Sequence, residues 1–291
     1  MPASKSPAGY VFLLIASLGW GFNWPVTKQL LSAMPPLTMR GSTGVVGALL
    51  LAGIAFARGQ SLQVPSSEWP RVIIAGLLNV TCWMTCMAFG LLWLSATEAV
   101  LVAYTMPVWA ALLAWPVLGE RPTVLRFVAI AAAFASLAIV MGGGGVAASM
   151  EKLPGFLLVL CGAFGFALGT VFTKGWPPRL PPVSSAAWQI FVGALPMFVV
   201  GIAIEHTDWL NFSGQTWLLL SYGTLVQFCV AYVAWFAALA LLPASIAAIG
   251  TMIAPVVGVL SSSVVLGDPL GPLQITALIL TLASVVLATR S

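Results

Sequence analysis

Charge is what this sequence lacks. Only 6% of its 291 residues are Asp, Glu, Lys or Arg, while 60% are hydrophobic and the mean hydropathy is +1.06. A soluble globule draws about a quarter of its residues from the charged types, so this chain cannot clothe itself against water and belongs in a bilayer. Histidine occurs once, at His206, and the seven acids are scattered. That leaves no His-x-x-x-His or His-Glu-x-x-His metal spacing, no Ser/His pair and no acidic cluster for Mg²⁺, so a membrane-embedded enzyme stands only as the alternative from another class. No Asp, Glu or His falls in the middle of an apolar run, where a proton relay would stand. The net charge of +4 comes without a basic run or aromatic–basic interleaving, so no nucleic-acid surface is expected. Short alternating segments are also missing, which argues against a β-barrel, and neither a filter-like loop nor a charged ring suggests a channel. The four cysteines, Cys82, Cys86, Cys161 and Cys229, all fall within apolar runs. Cys82 and Cys86 share a helix face, and their reading as small packing residues outweighs a metal or redox site.

What the chain does have is long apolar runs. Roughly twenty apolar residues cross a bilayer as a helix, and ten such runs fit between Gly9 and Ala288. The fold class expected is an all-α integral membrane protein with ten transmembrane helices. The first run, which contains Trp20, Asn23 and Trp24, lacks a small-x-small cleavage site and reads as an uncleaved span. A glycine run at Gly142–Gly145 marks a flexible connection. It divides the chain into 1–142, a Gly-rich connector at 143–153, and 154–291.

The two parts echo each other. Pro107 matches Pro255, and Leu118-Gly119-Glu120 matches Leu266-Gly267-Asp268, at one offset (255 − 107 = 268 − 120 = 148). Asn79 falls on Gln227 and Ala96 on Ala244 at that same offset. Trp20-Gly21-Phe22 resembles Phe164-Gly165-Phe166, and Thr27-Lys28 resembles Thr173-Lys174, in a shifted register. Five spans per copy is an odd number, so tandem copies must enter the membrane from opposite sides, giving two inverted five-helix repeats. With the N-terminus in the cytoplasm, Lys5, Arg58, Arg71, Arg121, Arg126, Lys174, Arg179 and Arg290 lie inside. Only Lys28, Arg40 and Lys152 then lie outside, which places both termini in the cytoplasm.

Ten spans in two inverted fives, the Trp20-Gly21-Phe22-Asn23-Trp24 segment, and a proline followed by Leu-Gly-acid closing spans four and nine resemble the drug/metabolite transporter superfamily, in particular its EamA-type members. The resemblance covers nearly the whole chain and is carried by spacing, duplication and span count together. It implies a bacterial inner-membrane exporter of amino acids or other metabolites, most similar to YddG-type exporters of aromatic and other neutral amino acids. A multidrug or other metabolite carrier of the same superfamily is the alternative. The partners expected are a small-molecule substrate and the lipid bilayer, with no nucleic acid, no obligatory protein partner, no metal and no cofactor.

A carrier needs polar and amphipathic side chains near mid-membrane to replace part of the substrate's hydration. Trp20, Asn23, Trp24 and Thr27, spaced i, i+3, i+4 and i+7, share one helix face. Trp24 can line a cavity or anchor at the interface, and Asn23 can face a cavity or bond another helix. Asn79, Cys82, Trp83 and Cys86 share a second face. Asn79 and Gln227 can meet across the pseudo-twofold axis or bond neighbouring carbonyls. Tyr104 precedes Pro107, and Tyr232 follows Gln227 by five residues, about 140° beyond a full turn, so those two cannot share a face. Substrate-binding candidates are thus Trp20, Asn23, Trp24, Asn79, Trp83, Tyr104, Gln227 and Tyr232, with Pro107 and Pro255 as helix kinks. Lys28 with Asp268 outside and Lys174 with Glu120 inside are candidate gates, the alternative being residues that snorkel or set topology.

Overall fold

The computed structural model describes residues 6–119, 123–142, 145–243, 246–247 and 250–289. Among them no strand occurs; the chain is helices and short connections. With no water in a bilayer to satisfy N–H and C=O groups, each segment must close its hydrogen bonds within itself. The helices are α1 (Pro7–Gly21), α2 (Asn23–Leu30), α3 (Pro36–Ala57), α4 (Trp69–Gly76), α5 (Trp83–Gly90), α6 (Ala96–Ala103) and α7 (Met106–Leu118). They continue as α8 (Val124–Gly142), α9 (Gly145–Gly175), α10 (Pro182–Ile204), α11 (Gly214–Ser221), α12 (Ala231–Leu241), α13 (Ile253–Leu266) and α14 (Pro272–Thr289). Two π-helical segments join α4 to α5 (Leu77–Cys82) and α11 to α12 (Tyr222–Val230). The outer faces of the helices are apolar, with Phe56, Val124, Ile204 and Val264 among the exposed side chains, as lipid requires and water would not tolerate.

Among the described residues, seven helical stretches are long and apolar enough to cross a membrane, against the ten spans expected. The first expected span is broken at Phe22 into pieces of 15 and 8 residues. The ninth is interrupted by a turn at Thr251–Met252, so α13 has 14 residues. The tenth is a shorter apolar helix, Pro272–Ala288, while the fourth, Ala96–Leu118, is one of the seven although a turn at Tyr104–Thr105 separates α6 from α7. Pro107 stands at the second position of α7, where its missing N–H costs nothing, and Pro255 lies in the first turn of α13. Both prolines therefore begin a new helix directly after a break.

The Leu-Gly-acid motif has a local physical cause. Gly119 and Gly267 adopt φ of 73° and 72° at the ends of α7 and α13, a left-handed conformation that other residues adopt only at a cost. Their amides bond back to the carbonyls of Trp115 at 2.9 Å and Ser263 at 3.1 Å.

Helix pairing follows a two-by-two pattern. α3 packs on α10 and α8 on α14; α1 packs on α12 as α9 does on α5; α1 packs on α13 as α9 does on α7. α3 also touches Tyr222–Val230, as α10 touches Leu77–Cys82. Each contact thus has a counterpart when the N- and C-terminal parts are exchanged. Glycine permits the closest of them: a Cβ on Gly41 would lie 2.3 Å from the Phe198 nitrogen, and one on Gly201 would lie 2.6 Å from the Thr38 nitrogen. The α3–α10 pair is also capped reciprocally. Glu205, just after α10, accepts hydrogen bonds from the Leu37 and Thr38 amides at 3.1 and 2.7 Å. Gln60, just after α3, accepts from the Val183 and Ser184 amides at 3.2 Å each. On the α8–α14 pair, Ser136 and Thr281 share a 2.8 Å hydrogen bond between buried hydroxyls.

Candidate functional site

The two π segments carry the two expected polar residues. Looser i→i+5 winding widens a helix and is found frequently at functional sites. Asn79 lies in Leu77–Cys82, with its Oδ1 pressed over Gly169 of α9, where a Cβ would stand only 2.1 Å away. That oxygen is buried and has no hydrogen-bond partner among the described residues. Gln227 lies in Tyr222–Val230, 8% exposed, and its Oε1 accepts a long 3.5 Å hydrogen bond from Arg40 Nη1. No hydrogen bond joins Asn79 to Gln227; each turns toward a different helix.

The remaining candidates fall into pairs rather than one surface. Trp20 meets Tyr232 edge-on at 5.7 Å and lies 5.9 Å from Trp235, between α1 and α12. Trp24, 7% exposed, packs against Tyr104 at 6.4 Å and joins the core around Val100 and Val259. It is therefore an interior residue and not an interfacial anchor. Trp83 contacts Phe166 of α9 at 4.9 Å. Asn23 starts α2 directly after the break at Phe22, its Oδ1 buried without a partner among the described residues. Gln227 bonds Arg40 of α3 while Tyr232 meets Trp20 of α1; the angle expected between them assumed α-helical winding, which the π segment does not have.

Two ends can be distinguished. At the end carrying the α5–α6 connection, several polar groups converge. Lys28 Nζ donates to the carbonyls of Leu91 and of Leu94, the latter at 2.9 Å. Asp268 Oδ2 accepts from the Thr97 amide at 2.8 Å, and Lys152 pairs with Glu98 at 2.6 Å. Glu98 also closes a capping box with Ser95. Lys28 and Asp268 do not form a direct ion pair; Lys28 holds the α5–α6 connection through its carbonyls and Asp268 holds the first turn of α6 through an amide. At the opposite end opens a cavity of about 390 Å³, lined by Pro107, Phe166, Thr170, Lys174, Arg126 and Leu118 among others. Lys174 is thus a cavity residue, whereas Glu120, its expected partner, lies outside the described residues. Of the eight substrate-binding candidates none lines this cavity, although Phe166 connects it to Trp83.

The sequence places Arg40 among the residues that set orientation. It is 7% exposed, with a buried Nε lacking a partner among the described residues. A signal was available: Arg40, Thr43, Gly44 and Gly47 stand at i, i+3, i+4 and i+7 and are all buried, so the small-residue face that packs against the rest of the molecule includes the arginine. The thiols of Cys82, Cys86 and Cys161 lie within 4.8 Å of one another, bringing a third cysteine from α9 to the two that share a face. All four cysteines are free.

A bundle apolar on its outside, with helices broken beside buried polar groups, one fastened end and a cavity at the other, is a multi-pass membrane protein. The profile of the EamA-like transporter family matches the chain twice, over residues 7–142 and 153–290, and the chain belongs to that family. It is 26% identical over 287 residues to the uncharacterized transporter YvbV of Bacillus subtilis, covering 99% of this chain and 92% of that one. It is 27% identical to a probable amino-acid metabolite efflux pump of Salmonella typhimurium, covering 94% and 92% of the two chains. A protein of the same description in Escherichia coli is 24% identical over 93% and 91%. A crystal structure 21% identical in sequence superposes with a TM-score of 0.70 over 99% of both chains, which shows a shared fold.

Proposed function

We propose that this transporter exports amino acids, aromatic and other neutral ones, across a bacterial inner membrane by alternating access between two inverted five-helix repeats. In this reading the repeats are 1–142 and 154–291, joined by the connector 143–153; the chain crosses ten times and both termini face the cytoplasm. The double family match and the exchange-symmetric helix pairing support the duplication. The relatives described as amino-acid metabolite efflux pumps support the substrate class. The observation that carries the mechanism is the asymmetry of the two ends: Lys28, Asp268 and Lys152 fasten one, and the cavity opens at the other. Its volume falls within the roughly 300–1,000 Å³ of small-molecule sites.

The fastened end is the periplasmic one, and the cavity beside Lys174 is the cytoplasmic vestibule from which substrate enters. Trp20, Trp24, Trp83, Tyr104 and Tyr232 supply ring faces for an apolar or aromatic side chain and its ammonium group, while Asn23, Asn79 and Gln227 replace lost hydration. The breaks preceding Pro107 and Pro255 are the hinges. Lys28 and Asp268 gate the outer mouth by holding the α5–α6 connection and the first turn of α6.

Counterflow into liposomes holding purified protein, with a panel of labelled amino acids and cationic dyes, tests the reading. Uptake of aromatic and neutral amino acids is the expected result. Uptake of dyes alone makes the chain a multidrug carrier and overturns the amino-acid assignment.

A further inference from the structure

Arg40 is a charge in the interior that forms no ion pair among the described residues. Its guanidinium has five N–H donors in a rigid fork. The one bond formed among the described residues, to Gln227 Oε1 at 3.5 Å, is at the long limit, and Nε has none. Glu205, the carboxylate that reaches α3, is already bonded to the Leu37 amide, the Thr38 amide and the Thr38 hydroxyl. Thr43, one turn along the same face, uses its hydroxyl on the Met39 carbonyl at 2.8 Å. A residue serving only to orient the chain would lie at the rim with its head in water, yet Arg40 is 7% exposed. A purely structural ion pair would bring a carboxylate, since an unpaired interior charge is strongly unfavourable. What faces the arginine is instead a neutral amide on a π segment, which leaves the site cationic.

We propose that Arg40, oriented by Gln227, receives the carboxylate of the transported amino acid. A guanidinium fork matches a carboxylate bidentately, and in a membrane interior an ionisable side chain marks a substrate pathway. The proposal rests on the amino-acid reading above and deepens it. The site spans α3 and Tyr222–Val230, which belong to the two different repeats. Substrate bound there therefore touches both moving parts.

The test is competition in the counterflow assay. The probe is the labelled amino acid giving the strongest wild-type signal, competed by its unlabelled form and by its carboxamide, which keeps the ammonium group and side chain but loses the charge. Arg40→Gln should weaken competition by the free amino acid roughly tenfold or more, and by the carboxamide less than about twofold. Arg40→Lys should fall between. Gln227→Glu keeps the arginine and supplies an internal carboxylate. It should raise the melting temperature in detergent while abolishing the preference for the free acid, a combination that a structural role for Arg40 does not produce. It also serves if Arg40→Gln fails to fold. Wild-type counterflow with the acid-to-carboxamide preference unchanged in Gln227→Glu or in a folded Arg40 variant overturns the role of Arg40 and leaves the transport reading standing. No counterflow with any amino acid overturns both.

Discussion

Gly267 closes α13 with a left-handed backbone that a side chain disfavours. At φ 72° a Cβ meets nothing within 4 Å, so the cost of Gly267→Ala is conformational alone, about 1–2 kcal/mol. Thermal unfolding in detergent should show a lower midpoint for this variant. Gly53 is the control: it lies within α3, with φ in the ordinary range and open space around it. There alanine should be neutral or stabilising by up to about 1 kcal/mol. Equal losses at both positions would mean that helix termination is not what Leu-Gly-acid does. At this scale the sequence was legible where a residue's constraint is local. The glycines, the prolines after each break and the capping Ser95–Glu98 pair all follow from their own neighbours. Arg40 was legible only through the small residues that share its face, because a charge a few residues from a span end looks the same whether it faces headgroups or another helix. Only the packing of Gly44 and Gly47 against Ala194 and Phe228 decides which.

α3 and α10 are fastened at both ends by each other's C-terminal side chains. Glu205 satisfies two amides at the start of α3 with a charged acceptor, while Gln60 does the same for α10 with a neutral one at longer distance. Glu205→Ala should therefore cost about 1–2 kcal/mol and Gln60→Ala less. Because the caps sit at opposite ends of helices of 22 and 23 residues, the double variant should lose the sum. Chemical unfolding of the three variants measures this, and strong non-additivity would show that the pair does not act as two independent clasps. These contacts join residues far apart in sequence and left no local mark. The π segments were equally hidden. Apolar composition is the same for i→i+4 and i→i+5 winding, so Asn79 and Gln227 were recognised as polar residues of interest, but not as residues on widened turns.

Over the whole molecule, the two ends differ in how they are closed, and charge exchange separates two kinds of closure. Lys152 and Glu98 form a direct ion pair between α9 and α6. Reversing Lys152→Glu alone should loosen the fastened end and slow counterflow. Adding Glu98→Lys should restore part of the rate, though not all, since a lysine at position 98 cannot close the capping box with Ser95. Lys28 and Asp268 act instead on backbone carbonyls and a backbone amide, although Asp268 and Glu98 are near enough for their charge to act on Lys28. Backbone dipoles cannot be exchanged along with the side chains. The Lys28→Asp, Asp268→Lys double variant should therefore be no faster than either single one, because it sets a carboxylate against the carbonyls of Leu91 and Leu94 and an ammonium against the Thr97 amide. Rescue at Lys28–Asp268 and none at Lys152–Glu98 would reverse the assignment and make the former the gate's ion pair. The pairing of repeat halves was visible in one sequence because duplication leaves matched residues. The nature of each closure was not, because it depends on whether a charge reaches another charge or the backbone beside it.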